Sequence, residues 1–140
     1  MGISQIRERS NWFVANLPAV IAEALNENED AFVQLNQTAM LNSMKSDGGR
    51  IEPAYRSQAY ANMKGRNYPD LKLTGAFQGD MSFFTDGEEF FLTSNDPKMR
   101  ELVDKYSLKI FGIAPLYRPL AQGRALSSIA RIWNKFVLNG

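Results

Sequence analysis

The sequence predicts an α+β fold: a long N-terminal helix packed on a small antiparallel β-sheet with a central hairpin, plus a C-terminal amphipathic helix. Three observations lead to this prediction. Apolar residues follow helical spacing near the N-terminus, an Asp-Gly dipeptide separates two aromatic-rich segments, and a second helical pattern lies near the C-terminus. Because helical and sheet patterns occupy separate stretches of chain, they favour α+β over alternating α/β. The 140 residues are enough for one buried core.

The N-terminal pattern is that of one helical face. Its apolar residues recur at spacings of three and four: Phe13, Val14, Leu17, Val20, Ile21, Ala24 and Leu25. The pattern resumes at Phe32 and stops at the Asp47-Gly48-Gly49 turn. Pro18 lies inside it, and it either opens a new helix at the first turn or kinks a longer one.

The middle of the chain contains an extended piece, a short helix and a strand. Pro53 keeps residues 51–55 extended. A short helix is predicted over residues 57–64, and Gly65 ends it. Residues 70–75 alternate polar and apolar side chains, which is typical of a brief strand.

The clearest sheet signal is a hairpin. Residues 77–85 and 88–93 flank Asp86-Gly87, the dipeptide that a type I′ turn prefers. Phenylalanines on both sides of the turn supply cross-strand aromatic partners. The sequence therefore predicts two antiparallel strands joined at this turn.

Two further helices are predicted after the hairpin. The first opens at Asp96-Pro97, where an N-cap acceptor precedes proline, and it ends near residue 105. Residues 108–115 are a strand or an extended loop. The last helix covers about residues 119–138, with an apolar stripe of six residues: Leu126, Ile129, Ala130, Trp133, Phe136 and Val137.

We expect two units: an α+β core domain over residues 1–115 and a C-terminal helical arm over residues 116–140. Pro115 and Pro119 precede the arm's helix. The arm packs either on its own domain or on a neighbouring subunit.

Charge is divided unevenly along the chain. The net charge is only +1, but the chain from Lys105 onward has six basic residues and no acidic one. The first 104 residues hold the other ten basic and all fifteen acidic residues, a balance of −5. The densest acidic group is Glu23, Glu27, Glu29 and Asp30. Either both groups are solvated faces, or a basic end meets an acidic surface on another copy, another protein or nucleic acid.

The composition disfavours an enzyme. Without cysteine or histidine there is no disulfide, no thiolate zinc site, no cysteine nucleophile and no histidine base. Glu88 and Glu89 are adjacent in a predicted strand, so they point to opposite faces and form no carboxylate pair. We expect no catalytic residues, no metal and no cofactor. A hydrolase that works without histidine, or an inhibitor, is a further alternative.

The sequence also predicts where the protein is made. No apolar stretch approaches the roughly 20 residues of a membrane span, and charge appears by Arg7 in a start without a signal-peptide run. We expect synthesis in a cytoplasm and no membrane partner.

Three short segments carry a family resemblance: residues 44–55 (MKSDGGRIEPAY), 60–64 (YANMK) and 70–77 (DLKLTGAF). Ile110-Phe111-Gly112 follows them as an apolar segment. Over residues 31–112 the chain resembles the neck or tail-completion proteins of tailed bacteriophages, small virion proteins of phages and prophages, several of them from Bacteroidetes hosts.

The resemblance implies a subunit of a homo-oligomeric ring at the head–tail junction, without enzymatic activity. Such a subunit is assembled in the host cytoplasm and retained in the virion, in contact with other phage portal, neck and tail proteins. Genomic DNA would pass through the lumen, where basic residues touch phosphates without reading sequence. The hairpin aromatics would face the long helix.

In such a ring, we expect acidic positions of one subunit to meet basic positions of the next in a heterologous, closing interface. The candidate interface residues are Arg118, Arg124, Arg131, Trp133, Lys135, Glu23, Glu27, Glu29 and Asp30. The alternative function is a small cytoplasmic nucleic-acid-associated binding module that uses the basic C-terminal helix.

Overall fold

The computed structural model describes residues 2–66, 68–71 and 76–139. Within these ranges the chain forms seven α-helices and one two-stranded antiparallel sheet, so the α+β class is confirmed. The strand predicted over residues 70–75 lies largely outside the described residues. Its first two positions are not in a strand, and Leu71 has a positive φ of 58°.

The N-terminal helical segment consists of three consecutive helices instead of one: α1 (Ile3–Ala15), α2 (Leu17–Glu27) and α3 (Glu29–Leu41). Pro18 lies in the first turn of α2, so it opens a new helix. At each helix end an asparagine side chain donates to the carbonyl four residues earlier: Asn16 at 2.8 Å, Asn28 at 2.8 Å and Asn42 at 3.0 Å. These local bonds compete with continuation of the helix, which explains the breaks.

The short helix α4 (Gln58–Lys64) confirms the sequence prediction. The Ser57 hydroxyl accepts a hydrogen bond from the Tyr60 N–H at 3.2 Å and caps its start. Gly65 ends it with a φ of 71°, in the left-handed region where glycine is favoured.

The hairpin consists of β1 (Met81–Asp86) and β2 (Glu89–Ser94). The first strand starts later than predicted, because residues 76–79 form a helical turn, α5. The Ser94 hydroxyl donates to the Phe77 carbonyl at 2.7 Å and holds this turn against the sheet.

The hairpin turn differs from the prediction by one residue. Asp86 pairs with Glu89, so the two central residues are Gly87 and Glu88. Only Gly87 has a positive φ, of 61°, which is the pattern of a type II′ turn and not of type I′.

After the hairpin, α6 covers Met99–Tyr106. It starts later than predicted because the Asp96 carboxylate accepts a hydrogen bond from the Lys98 N–H at 2.8 Å, in a turn before the helix. Of the two alternatives for residues 108–115, the strand is wrong: a loop lies there, with 3₁₀ turns at Leu108–Ile110 and Pro115–Tyr117.

The C-terminal helix, α7 (Arg118–Trp133), continues into a π-helical turn at Asn134–Leu138. In this single chain α7 packs on α2, and the π-helical turn packs on α1. Val137 is fully buried beside Phe13 and Val20. The structure thus has the C-terminal segment on its own chain; the division into a core domain and an arm stays a prediction.

The buried face of α7 differs from the predicted apolar stripe. Leu126 and Ala130, assigned to that stripe, are exposed, whereas Ala121 and Ser128 are buried. The reason is packing: Ala121 lies in a cluster with Leu25 and Phe32, where a small side chain lets α7 approach α2. The hydrophobicity of its side chains alone does not indicate that this side of α7 is the buried one.

The hairpin lies against α2 and α3. Some of its aromatic side chains therefore face the N-terminal helical segment, as expected. Phe32 of α3 is 1% exposed, and its ring lies 5.0 Å from that of Phe90 and 6.0 Å from that of Phe83. A neighbouring cluster of buried residues joins α3, the hairpin and the loops around them: Met40, Ile51, Leu71, Phe77, Leu92, Ile110 and Phe111.

Candidate interaction surfaces

Eight of the nine candidate interface residues are exposed, and the ninth, Trp133, is half-buried. The Trp133 ring packs edge to face on Phe13 with centroids 5.0 Å apart, so it holds α7 against α1. It is a core residue of this chain.

The structure brings two of the nine together within one chain. Arg131 of α7 forms an ion pair with Glu27 of α2, and Asn28 next to it donates to the Ser128 hydroxyl at 2.9 Å. From the sequence we expect the acidic and basic positions to lie on neighbouring subunits. For this pair the contact is intramolecular, because α7 lies on its own α2.

The other basic candidates differ in what they contact. The Arg118 guanidinium donates to the carbonyls of Ile113 at 3.2 Å and Ser46 at 3.1 Å, which fastens two loops to the start of α7. Arg124 and Lys135 form no ion pair within the described part of the chain.

The outer face of the hairpin carries a surface that the sequence analysis missed. The rings of Phe84 and Phe91 stack with centroids 5.2 Å apart, and they are 51% and 42% exposed. Each follows a phenylalanine that points inward, and strand side chains alternate between faces. Two adjacent Phe-Phe pairs in facing strands therefore already signal one outward pair.

The hairpin and the residues that flank it are strongly acidic. Residues 76–97 contain five carboxylates and no lysine or arginine: Asp80, Asp86, Glu88, Glu89 and Asp96. The three at the turn are exposed, and none of them forms an ion pair with the described residues.

The outer side of α7, together with the 3₁₀ turn that precedes it, combines apolar and basic groups. Leu116 and Leu120 are 68% and 53% exposed, and Arg124 follows Leu120 by one helical turn. A shallow groove beside them has Gly123 and Ser127 among its lining residues. A side chain at Gly123 would meet no described atom within 4 Å.

A cleft of about 410 Å³ lies between α4 and α6. On its wall, Asp70 is held by Lys64 at 3.1 Å and by Arg66 at 3.3 Å. Burial and, second, the Asp70 charge raise the pKa of Tyr55 above its ordinary value of 10.0. The shift moves the Tyr55 phenol further from acting as a base at neutral pH.

Two further classes of site are absent from the described residues. Among the described residues, no group of three or more metal-ligating acidic side chains is arranged to hold a metal ion. None of the described helices combines the length and the apolar character that crossing a bilayer requires.

No protein-family model matches the chain, and neither the curated proteins nor the solved structures contain a significant match to it.

Proposed function

We propose that this protein is a structural virion protein of a tailed phage, a ring-forming neck, head–tail connector or tail-completion subunit that joins the capsid portal to the tail. The observation that carries the proposal is the large apolar surface left exposed by the folded chain. It includes the Phe84–Phe91 pair, Leu116 and Leu120, and the pair of Trp12 and Phe136, whose ring centroids lie 4.4 Å apart. Exposed apolar surface that is gathered in patches is typical of protein–protein contact sites.

The segments that resemble phage neck proteins also support the proposal. Three of them lie within residues 44–77 and the fourth at residues 110–112, and Ile51, Phe77 and Phe111 pack in one cluster. The Asn36 amide joins α3 to this region: its Nδ2 donates to the Ile110 carbonyl at 2.9 Å, and its Oδ1 accepts from the Gly112 N–H at 3.0 Å. Three of the four resembling segments thus contribute to one buried cluster, which is consistent with their being parts of one fold.

The alternative, a small nucleic-acid-associated binding module, has less support from the geometry. Arg131 is engaged by Glu27, and Arg118 is engaged by backbone carbonyls. Two basic side chains of the helix, Arg124 and Lys135, then carry the contact with phosphates. That number fits incidental contact with DNA in a ring lumen better than a dedicated binding face.

The function is tested in a phage that carries this gene with an amber codon in place of the Trp12 codon. On a non-suppressing host we expect filled heads and tails that do not join, seen by electron microscopy. A plasmid copy of the gene should restore joined virions, and labelled protein should lie at the head–tail junction.

Two results would contradict the proposal. One is a normal yield of joined virions from the amber phage on the non-suppressing host. The other is absence of the protein from purified virions combined with tight, salt-sensitive binding of the purified protein to duplex DNA, which would favour the nucleic-acid module.

A further inference from the structure

We propose that neighbouring copies of this chain meet head to tail, with the outer face of the hairpin on one copy docked on the outer face of α7 on the next. This contact rests on the proposed function, because it names the surfaces through which the ring subunits associate. The occupant of each surface is a second copy of the same chain.

The hairpin surface has an apolar centre and an acidic rim. Phe84 and Phe91 form the centre, stacked on each other and about half exposed. Asp86, Glu88 and Glu89 surround the turn at one end of the pair. This arrangement, aromatic anchors with charge at the edge, is that of a protein–protein contact site.

The α7 surface has the complementary composition. Leu116 and Leu120 are its apolar part, and Arg124 and the anchored Arg118 are its cations. Gly123 lies with Leu120 in the shallow groove, and because it has no side chain, a ring of another copy would meet no Cβ there.

Charge complementarity selects a second copy as the partner. The hairpin turn carries three exposed carboxylates, Asp86, Glu88 and Glu89, and the α7 surface carries the guanidinium groups of Arg118 and Arg124. Opposite charges on the two surfaces steer association and suppress the pairing of like surfaces, so hairpin-to-hairpin contacts are disfavoured.

The two surfaces share no residue, so one copy can use both at once. An interface between two different patches is heterologous, and it gives a ring when the rotation between copies closes. Of the acidic group of α2 and α3, Glu27 already binds Arg131 within its own chain. Glu23, Glu29 and Asp30 are exposed, but the hairpin is the better acidic side of this contact because its carboxylates lie beside the exposed rings of Phe84 and Phe91.

Two charge-reversed variants test the contact. The hairpin variant carries Glu88→Lys and Glu89→Lys, and the helix variant carries Arg124→Glu and Ser127→Glu. In each variant alone, both surfaces have the same sign, so we expect self-association to fall by about tenfold or more. In an equimolar mixture, each reversed surface meets its opposite, and association should return to near the wild-type level by sedimentation velocity.

Controls with similar charge changes lie on α6, outside both surfaces. They are Glu101→Lys with Asp104→Lys, and Arg100→Glu, all at exposed positions. They should associate like the wild type, and circular dichroism should show that every variant is folded.

Three results would overturn the contact: folded variants that associate normally, a mixture that fails to recover, or a wild-type chain that stays monomeric at roughly 1 mM.

The phage experiment separates the two proposals. If charge exchange works but the amber phage still joins heads to tails, the contact stands and the virion function fails. If the gene is required but the hairpin variant complements it fully, the contact alone fails.

Discussion

The two faces of the hairpin carry the same aromatic residues in different surroundings. On the inner face, Phe83 and Phe90 stack on each other at 5.4 Å and lie against the buried ring of Phe32. On the outer face, Phe84 and Phe91 stack on each other, meet no third aromatic ring among the described residues, and remain exposed. The inner pair therefore stabilises the fold, whereas the outer pair leaves apolar surface for a partner.

The carboxylates show the same division. Glu27 has its cation, Arg131, within the chain, whereas Glu88 and Glu89 have none among the described residues. A charge that is satisfied within the chain helps to fix α7 on α2. A charge left at an exposed edge is free to select a partner.

The largest effect is expected on the inner face. Replacement of Phe32 by alanine removes a ring that is 1% exposed and that contacts both inner phenylalanines. We expect the free energy of unfolding to fall by about 3–5 kcal/mol, measured by urea denaturation. Phe84→Ala is the matched control and should cost less than about 1.5 kcal/mol. Equal losses in the two variants would mean that the faces do not differ.

The outer face should show the reverse pattern. The double change of Phe84→Ser and Phe91→Ser removes one exposed aromatic pair, which contributes about 0.5–1.5 kcal/mol to stability. Self-association should weaken by more than about tenfold, because aromatic anchors dominate such contacts. Thermal unfolding and sedimentation velocity measure the two quantities. A stability loss as large as that of Phe32→Ala, or unchanged association, would contradict the assignment of this face.

Local sequence signals predicted much of this fold. Ser57 and Gly65 bound α4 as their capping chemistry requires, and Pro18 opens α2. These predictions succeeded because each depends on hydrogen bonds or dihedral preferences within a few residues. The Asp86-Gly87 dipeptide located the hairpin for the same reason. The predicted turn was nevertheless one residue too early, and its type was wrong.

The parts that sequence missed depend on contacts between distant segments. Nothing local indicates that Ala121 and Ser128, and not Leu126, form the buried face of α7. Nor does sequence show that Arg131 meets Glu27 of its own chain. The outward pair of phenylalanines could have been predicted from strand alternation, but its exposure depends on α2 and α3 covering only one face of the hairpin.

Replacement of Gly123 by alanine gives a smaller test, in which stability and self-association should change in opposite directions. Glycine is unfavourable in a helix interior, and a methyl group here meets no described atom within 4 Å. Gly123→Ala should therefore raise the stability of the chain by about 0.5–1 kcal/mol. In the proposed contact the same methyl group occupies space needed by the neighbouring copy, so association should weaken severalfold. Higher stability with unchanged association would exclude Gly123 from the contact.

The smallest effect concerns the ion pair between Arg131 and Glu27, which tests whether a satisfied charge also takes part in assembly. The two side chains are 61% and 31% exposed, so a double-mutant cycle with alanine should give a coupling energy of about 0.2–1 kcal/mol that decreases with added salt. Because the pair lies within the chain, Arg131→Ala should leave self-association unchanged, whereas Arg124→Glu should weaken it. If Arg131→Ala weakens association as strongly as Arg124→Glu, then Arg131 acts between subunits. The division between charges used within the chain and charges left for a partner would then be wrong for α7.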